Sequence, residues 1–228
     1  MRIILIPGLW LDGSAWDSVL PCLRAAGHEP VPVTLPGQGD GTTSATFDDQ
    51  VDAVLAEVDA DPAGGKVLVV GHSAACTLAW LAADRRREKV EKVALVGGMP
   101  QADGAPYAPF FEPVDGRVEF PGWEAFSGPD SDDLDDAHEQ AFAAASHPVP
   151  EAVATGTVGY TDPRRHEVPV VMVCPEYSPE EARAWLAAGE IPELTPAQQV
   201  DYVDIDSGHW PMFSRPDELA SLLASLAG

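Results

Sequence analysis

The 228-residue sequence predicts an α/β fold with a mostly parallel central sheet flanked by helices. Three observations carry this. Short apolar runs alternate with longer helical patterns, as in successive βαβ units. Most of the runs are continuously apolar, as strands covered by helices on both faces require. The intervening turns draw on 22 Pro and 20 Gly, a turn-rich composition that stays outside the disordered class.

The runs, in order, are Ile3–Ile6, Val31–Leu35, Val67–Val70, Val93–Val96, Val168–Cys174 and Tyr202–Ile205. Helices are expected between them at 15–26, 46–60, 74–87, 179–188 and 216–226. Two have explicit starts. Thr46 precedes Phe47-Asp48-Asp49, and Ser178 precedes Pro179-Glu180-Glu181, with an N-cap residue and acids in the first turn. The rhythm breaks from Gln101 to about Arg165, where no good strand is visible and a helix is expected around Ser131–Ala145. A structureless loop of that length is improbable in a compact domain. The division expected is therefore a core of residues 1–100 and 166–228 with a short helical cap inserted at 101–165. The basic run Arg85-Arg86-Arg87-Glu88-Lys89 reads as cations at a helix C-terminus facing solvent.

Composition removes several function classes. There are 37 acidic against 13 basic residues, a formal charge of −24. Nucleic acid and anionic membrane surfaces are unsuitable partners for such a chain, because both call for a basic face. Cys22, Cys76 and Cys174 form an odd set without metal-ligand or disulfide spacing, which fits a reducing compartment. The apolar run before Pro7-Gly8 is too short for a signal-peptide core, and no run of about 18 apolar residues occurs. A soluble, cytoplasmic protein is expected.

Chemistry concentrates in Val67-Leu68-Val69-Val70-Gly71-His72-Ser73-Ala74-Ala75, followed by a helix rich in Ala and Leu. A strand running through a tight turn into a helix is the context of a nucleophile elbow. The turn would lift the Ser73 hydroxyl above the sheet, and it demands small residues two positions either side, here Gly71 and Ala75. Ser73 would also sit at a helix N-terminus, where free N–H groups favour a developing oxyanion. An ordinary Ser N-cap after a strand is the plainer alternative.

A serine nucleophile requires a base. His209, in Asp206-Ser207-Gly208-His209-Trp210, lies just past the last strand, at the carboxyl edge where open α/β sheets bind ligands. His28, His72, His138, His147 and His166 are less well placed. The oxyanion hole would combine the Ala74 N–H with one from the loop after the first strand, where Gly8 permits close approach and Leu9 offers the donor.

These segments, taken together, resemble the α/β-hydrolase superfamily. The resemblance runs from Pro7-Gly8-Leu9-Trp10 through Leu35-Pro36-Gly37-Gln38-Gly39-Asp40 and Gly71-His72-Ser73-Ala74-Ala75 to Gly208-His209-Trp210. It covers essentially the whole chain apart from the insertion, which corresponds to the family's variable cap. It implies a Ser–His–acid hydrolase with no metal or organic cofactor. It also implies where the acid should be. The usual position, after Val168–Cys174, offers Glu176; the minority position, after Val93–Val96, offers Asp103. Both stay open at this point, while Asp206 is too close in sequence to His209.

The substrate pocket is expected between the elbow and the insertion, with Trp10, Met99, Phe110, Phe111, Trp123 and Trp210 as walls. The function expected is hydrolysis of a small, largely apolar carboxylic ester or lactone through an acyl-enzyme. Two alternatives remain. One is a hydroxynitrile-lyase-like, non-hydrolytic use of the same triad. The family's lyases use a cap Lys, whereas 101–165 contains Arg117, Arg164 and Arg165 but no Lys. The other is a low-turnover ligand-binding or receptor protein on this fold. A small molecule is the expected partner; a homodimer is compatible with the sequence, which does not set the oligomeric state. The insertion carries 13 acids and 3 bases, which disfavours polyanionic substrates such as coenzyme A esters.

Overall fold

A computed structural model describes residues 1–60 and 64–228. Its centre is a six-stranded, wholly parallel sheet. The strands are β1 (Arg2–Ile6), β2 (Glu29–Pro32), β3 (Val67–His72), β4 (Val90–Val96), β7 (Val170–Cys174) and β8 (Val200–Asp204). Two short strands in the insertion, β5 (Arg117–Val118) and β6 (Val149–Pro150), pair antiparallel apart from it. The sheet order is β2-β1-β3-β4-β7-β8, so the chain starts one strand in from an edge, adds β2 at that edge and then crosses back to build the other four strands outward.

The helices are α1 (Leu20–Ala25), α2 (Phe47–Asp59), α3 (Cys76–Arg85), α4 (Asp136–Ala145), α5 (Glu151–Ala154), α6 (Pro179–Ala188), α7 (Pro211–Ser214) and α8 (Pro216–Leu226). Side chains alternate across each strand, and this divides the core in two. Ile4, Ile6, Val67, Val69, Val93 and Leu95 pack with α2 and α3. Ile3, Leu5, Leu68, Val70, Ala94 and Val96 pack on the other face with α1 and α8. Every residue of β3 is buried, which is why its sequence shows no polar alternation.

The expected starts at Thr46 and Ser178 are full capping boxes, with Asp49 and Glu181 returning bonds to the cap backbone. Gly189, at φ 77°, closes α6 in the left-handed conformation. Other boundaries differ from the sequence pattern for local reasons. The helix expected at 15–26 is split. Asp12 caps a single 3-10 turn at Gly13–Trp16, and α1 begins only beside Pro21. β2 ends at Pro32, and Val33 and Leu35 are buried by packing beyond the ladder. In the insertion, α4 begins at Asp136 rather than Ser131 because Asp135 supplies the cap, accepting from the His138 N–H.

The basic run ends α3 part-exposed to solvent, as expected, and its cations are also paired. Arg85 donates to Asp84 and to the Gly159 carbonyl, Arg86 and Lys89 both pair with Asp59 on α2, and Arg87 pairs with Glu88 and Glu167. It ties α3 to α2 and to the exit of the insertion. Among the described residues, no helix is long and apolar enough to cross a membrane. The three cysteines are free thiols.

Candidate active site

β3 delivers the chain into the turn at Ser73, whose φ of 55° is left-handed. A non-glycine residue in that region is strained by about 1–3 kcal/mol and persists only where its surroundings hold it. Here they do. A Cβ on Gly71 would lie 2.3 Å from the Ala75 carbonyl oxygen, and one on Gly98 would lie 2.5 Å from the Ser73 carbonyl oxygen. The elbow is therefore pressed between α3 and the loop after β4, and its small neighbours are a steric necessity.

The loop after β1 approaches from the other side. A Cβ on Gly8 would meet His72 Nδ1 at 2.8 Å and Ser73 Cβ at 3.1 Å. The buried Gln38 holds this loop by its carbonyls, its Nε2 donating to Gly8 at 2.9 Å and to Leu11 at 2.8 Å. Trp10, at φ 66°, turns its indole inward to donate to the Val118 carbonyl at 3.2 Å. Leu9 and Ala74 line the same cavity as Ser73.

His209 follows β8 and stands beside Glu176, with Nδ1 and Oε1 2.8 Å apart. A carboxylate only accepts, so Nδ1 is the donor of this bond, which leaves Nε2 as the ring nitrogen turned away from Glu176. Both side chains are about 15% exposed, enough shelter to strengthen the pair without isolating it from the cavity. Glu176 Oε2 is buried and has no partner among the described residues. Asp103 is engaged elsewhere. Its Oδ1 accepts from the Tyr160 N–H at 2.9 Å, and its own N–H donates to Glu193 Oε1 at 3.0 Å. Of the two acids the sequence leaves open, only Glu176 is brought to His209; Asp103 pins the insertion.

His72, the residue before Ser73, bonds through Nε2 to the His209 carbonyl at 2.8 Å. The carbonyl accepts, so Nε2 carries a proton. Burial, and then the neighbouring His209, push its pKa down to about 3. Burial also raises the Cys76 thiol far above its usual range, so this neighbour of the elbow stays protonated.

Ser73, His209 and Glu176 line one cavity of about 520 Å³ at the carboxyl edge of the sheet. Trp10, Met99, Phe110, Phe111 and Trp210 are among its walls, as expected. Phe110 is 53% exposed and so marks the mouth. Trp123 is not a wall. It stands behind Trp210 at a ring separation of 5.1 Å, with its Nε1 donating to the Glu139 carbonyl, because Phe120 and Phe142 draw it into their own cluster. Phe126, Tyr177 and Trp185 are walls that the sequence reading missed. Phe126 ends a single 3-10 turn and Tyr177 lies in a loop, neither long enough to show a period, while Trp185 lies in α6, whose helical pattern does not say that one of its side chains reaches the cavity. Among the described residues, no group of three or more His, Cys, Asp or Glu side chains could hold a metal ion.

The sheet order and the strand–turn–helix at Ser73 define an α/β-hydrolase type of fold. A model of the Alpha/beta hydrolase family matches residues 3–222, and the chain belongs to that family. The chain is also similar to Methylesterase 7 of Arabidopsis thaliana, at 26% identity over 255 residues, covering 99% of this chain and 96% of the relative. Among solved structures, a methylesterase from Arabidopsis matches with a TM-score of 0.78 at 18% identity, covering 100% of this chain and 98% of its own. A pyrethroid hydrolase from Sphingobium faniae matches at 0.75 and 21%, covering 100% and 97%.

Proposed function

We propose that the protein is a serine hydrolase that cleaves a small, largely apolar carboxylic ester through an acyl-enzyme. The observation that carries this reading is the 2.8 Å bond from His209 Nδ1 to Glu176, in the cavity that the strained Ser73 also lines. Ser73 Oγ attacks the ester carbonyl carbon as His209 Nε2 takes its proton. Glu176 orients the imidazole and stabilises its cationic form. The tetrahedral oxyanion is held by the Ala74 and Leu9 N–H groups. Collapse breaks the bond to the alcohol, which leaves with the proton from His209. Water, deprotonated by His209, then attacks the acyl-enzyme; the acyl–Oγ bond breaks, the acid is released and His209 returns the proton to Ser73 Oγ.

Two of the relatives named above are methylesterases, which supports an ester carbonyl as the target and a small alcohol as the leaving group. The aromatic walls favour an apolar acid portion, and a cavity of this size suits a small molecule. Segment 101–165 serves as the cap: it contributes Phe110, Phe111 and Phe126, and its acidity repels polyanionic substrates.

The test is labelling of the folded protein at pH 8 with a fluorophosphonate probe, followed by peptide mapping. A single adduct on Ser73, lost in Ser73→Ala, is expected. Failure of wild-type protein to label at Ser73 overturns the reading.

A further inference from the structure

His209 is held by its peptide group as well as by its ring. Its carbonyl accepts from His72, and its N–H donates to the Asp130 carbonyl at 2.8 Å. One residue earlier, the buried Gly208 donates its N–H to Asp133 Oδ2, also at 2.8 Å. Two of these three partners belong to the insertion and not to the sheet. The contact is close: a Cβ on Gly208 would fall 2.4 Å from the Asp130 carbonyl oxygen and 2.5 Å from Asp133 Oδ1.

The turn that brings these partners is itself well braced. The Ser131 and Asp132 N–H groups both bond to the Gly128 carbonyl, and the buried Ser131 hydroxyl donates to the Phe126 carbonyl at 2.8 Å. Phe126 is a wall of the cavity. One turn of the insertion therefore carries both a substrate-facing ring and the acceptor for the loop that holds His209.

We propose that Asp133 is a positioning residue, whose carboxylate fixes the Gly208–His209 peptide and makes the placement of the base depend on docking of the insertion. This rests on the reading of His209 as general base. A buried N–H without an acceptor is unfavourable, so a docked loop lacking Asp133 shifts until Gly208 finds another partner. The His209 ring moves with it, and displacements of about 1 Å at reacting groups can slow catalysis roughly 100-fold. Oδ1 of Asp133 has no hydrogen-bond partner among the described residues. One oxygen does the work, so an amide oxygen can replace it.

The experiment compares wild type, Asp133→Ala and Asp133→Asn on an activated aryl ester, with fluorophosphonate labelling rates measured in parallel. Asp133→Ala is expected to lower kcat and the labelling rate roughly 10- to 100-fold with little change in KM. Asp133→Asn, which keeps an acceptor oxygen, is expected to recover most of both. Should Asp133→Ala not fold, Gly208→Ala, whose methyl crowds both the Asp130 carbonyl and Asp133 Oδ1, undocks the same turn from the other side and is expected to lower kcat and the labelling rate, and an unchanged kcat there overturns the proposal. Unchanged kcat and labelling in Asp133→Ala overturn the proposal, as do equal losses in Asp133→Ala and Asp133→Asn. If wild type itself fails to label, it is the serine-hydrolase reading that falls.

Discussion

Glu176 reaches His209 Nδ1 at 2.8 Å from a position only two residues beyond the end of β7. So short a tether suits Glu, whose extra methylene spans what an Asp side chain would leave open. Glu176→Gln is expected to lower kcat roughly 10³- to 10⁴-fold without unfolding the protein, because the amide no longer enforces the correct tautomer. Glu176→Asp should also lose most activity through lost reach. Asp103→Asn should retain near-wild-type kcat. Steady-state kinetics on the three variants check this, and a large kcat loss in Asp103→Asn would reverse the assignment.

Gly8 and Gln38 together set the loop that faces Ser73. Gly8→Ala introduces a methyl 2.8 Å from the buried His72 imidazole and 3.1 Å from Ser73 Cβ, so the loop or the ring must shift. The expected result is a fall in kcat of roughly 10²-fold, comparable to losing one oxyanion donor. Gln38→Leu leaves the Gly8 and Leu11 carbonyls without this donor. It should lower stability by about 1–3 kcal/mol as well as kcat. Denaturant melts measured beside the kinetics separate the two effects.

His72 makes stability depend on acid. Its folded pKa is near 3, against 6.5 for the free side chain. Between these values the unfolded chain takes up a proton that the native protein refuses. Stability is therefore fully present above pH 6.5 and falls as the pH drops toward 3, by up to about 1.4 kcal/mol per unit. His166, lowered by burial and by Arg165, adds a slope of the same sign. Unfolding free energies between pH 4.5 and 7 should fall less steeply on acidification in His72→Gln than in wild type. Equal slopes would show that the ring titrates normally.

Asp84 anchors the exit of the insertion. Its fully buried carboxylate accepts from the Thr161 and Asp162 N–H groups and from Arg165, which also holds Glu193. Removing the acid strands those donors beside a guanidinium that is only 11% exposed. Asp84→Ala is expected to destabilise by about 3–5 kcal/mol, a Tm loss of roughly 6–20 °C for a chain of this size. Calorimetry or thermal circular dichroism measures it.

The parts of the site that the sequence exposes are those made by neighbours along the chain. Gly71, Ser73 and Ala75 share one turn, and His209 follows one strand, so local pattern is enough to place them. The choice between Glu176 and Asp103 depends instead on which of two loops reaches across the sheet edge, a long-range distance with no local signature. Trp123 and Phe126 are the two ends of one 3-10 turn, too short to show a period, and only packing decides that the second faces the cavity while the first stands behind Trp210. β5 and β6 escape notice because two-residue strands are too short to show alternation. Asp133 is hidden for another reason. Among Asp130, Asp132, Asp135 and Asp136 it reads as one more solvated charge.

The two open borders of the sheet have a bearing on how the molecule behaves in a crowded solution. In β2, Glu29 and the following Val33 turn their N–H groups inward to Met1 and Leu5. The alternate positions, whose N–H groups would face outward, are Pro30 and Pro32, which have none to offer. At the opposite border β8 exposes Asp201 and Asp204. A foreign strand meets missing donors on one side and exposed carboxylates on the other, devices that discourage edge-to-edge aggregation. The central strands can therefore be as greasy as the elbow requires without making the protein sticky.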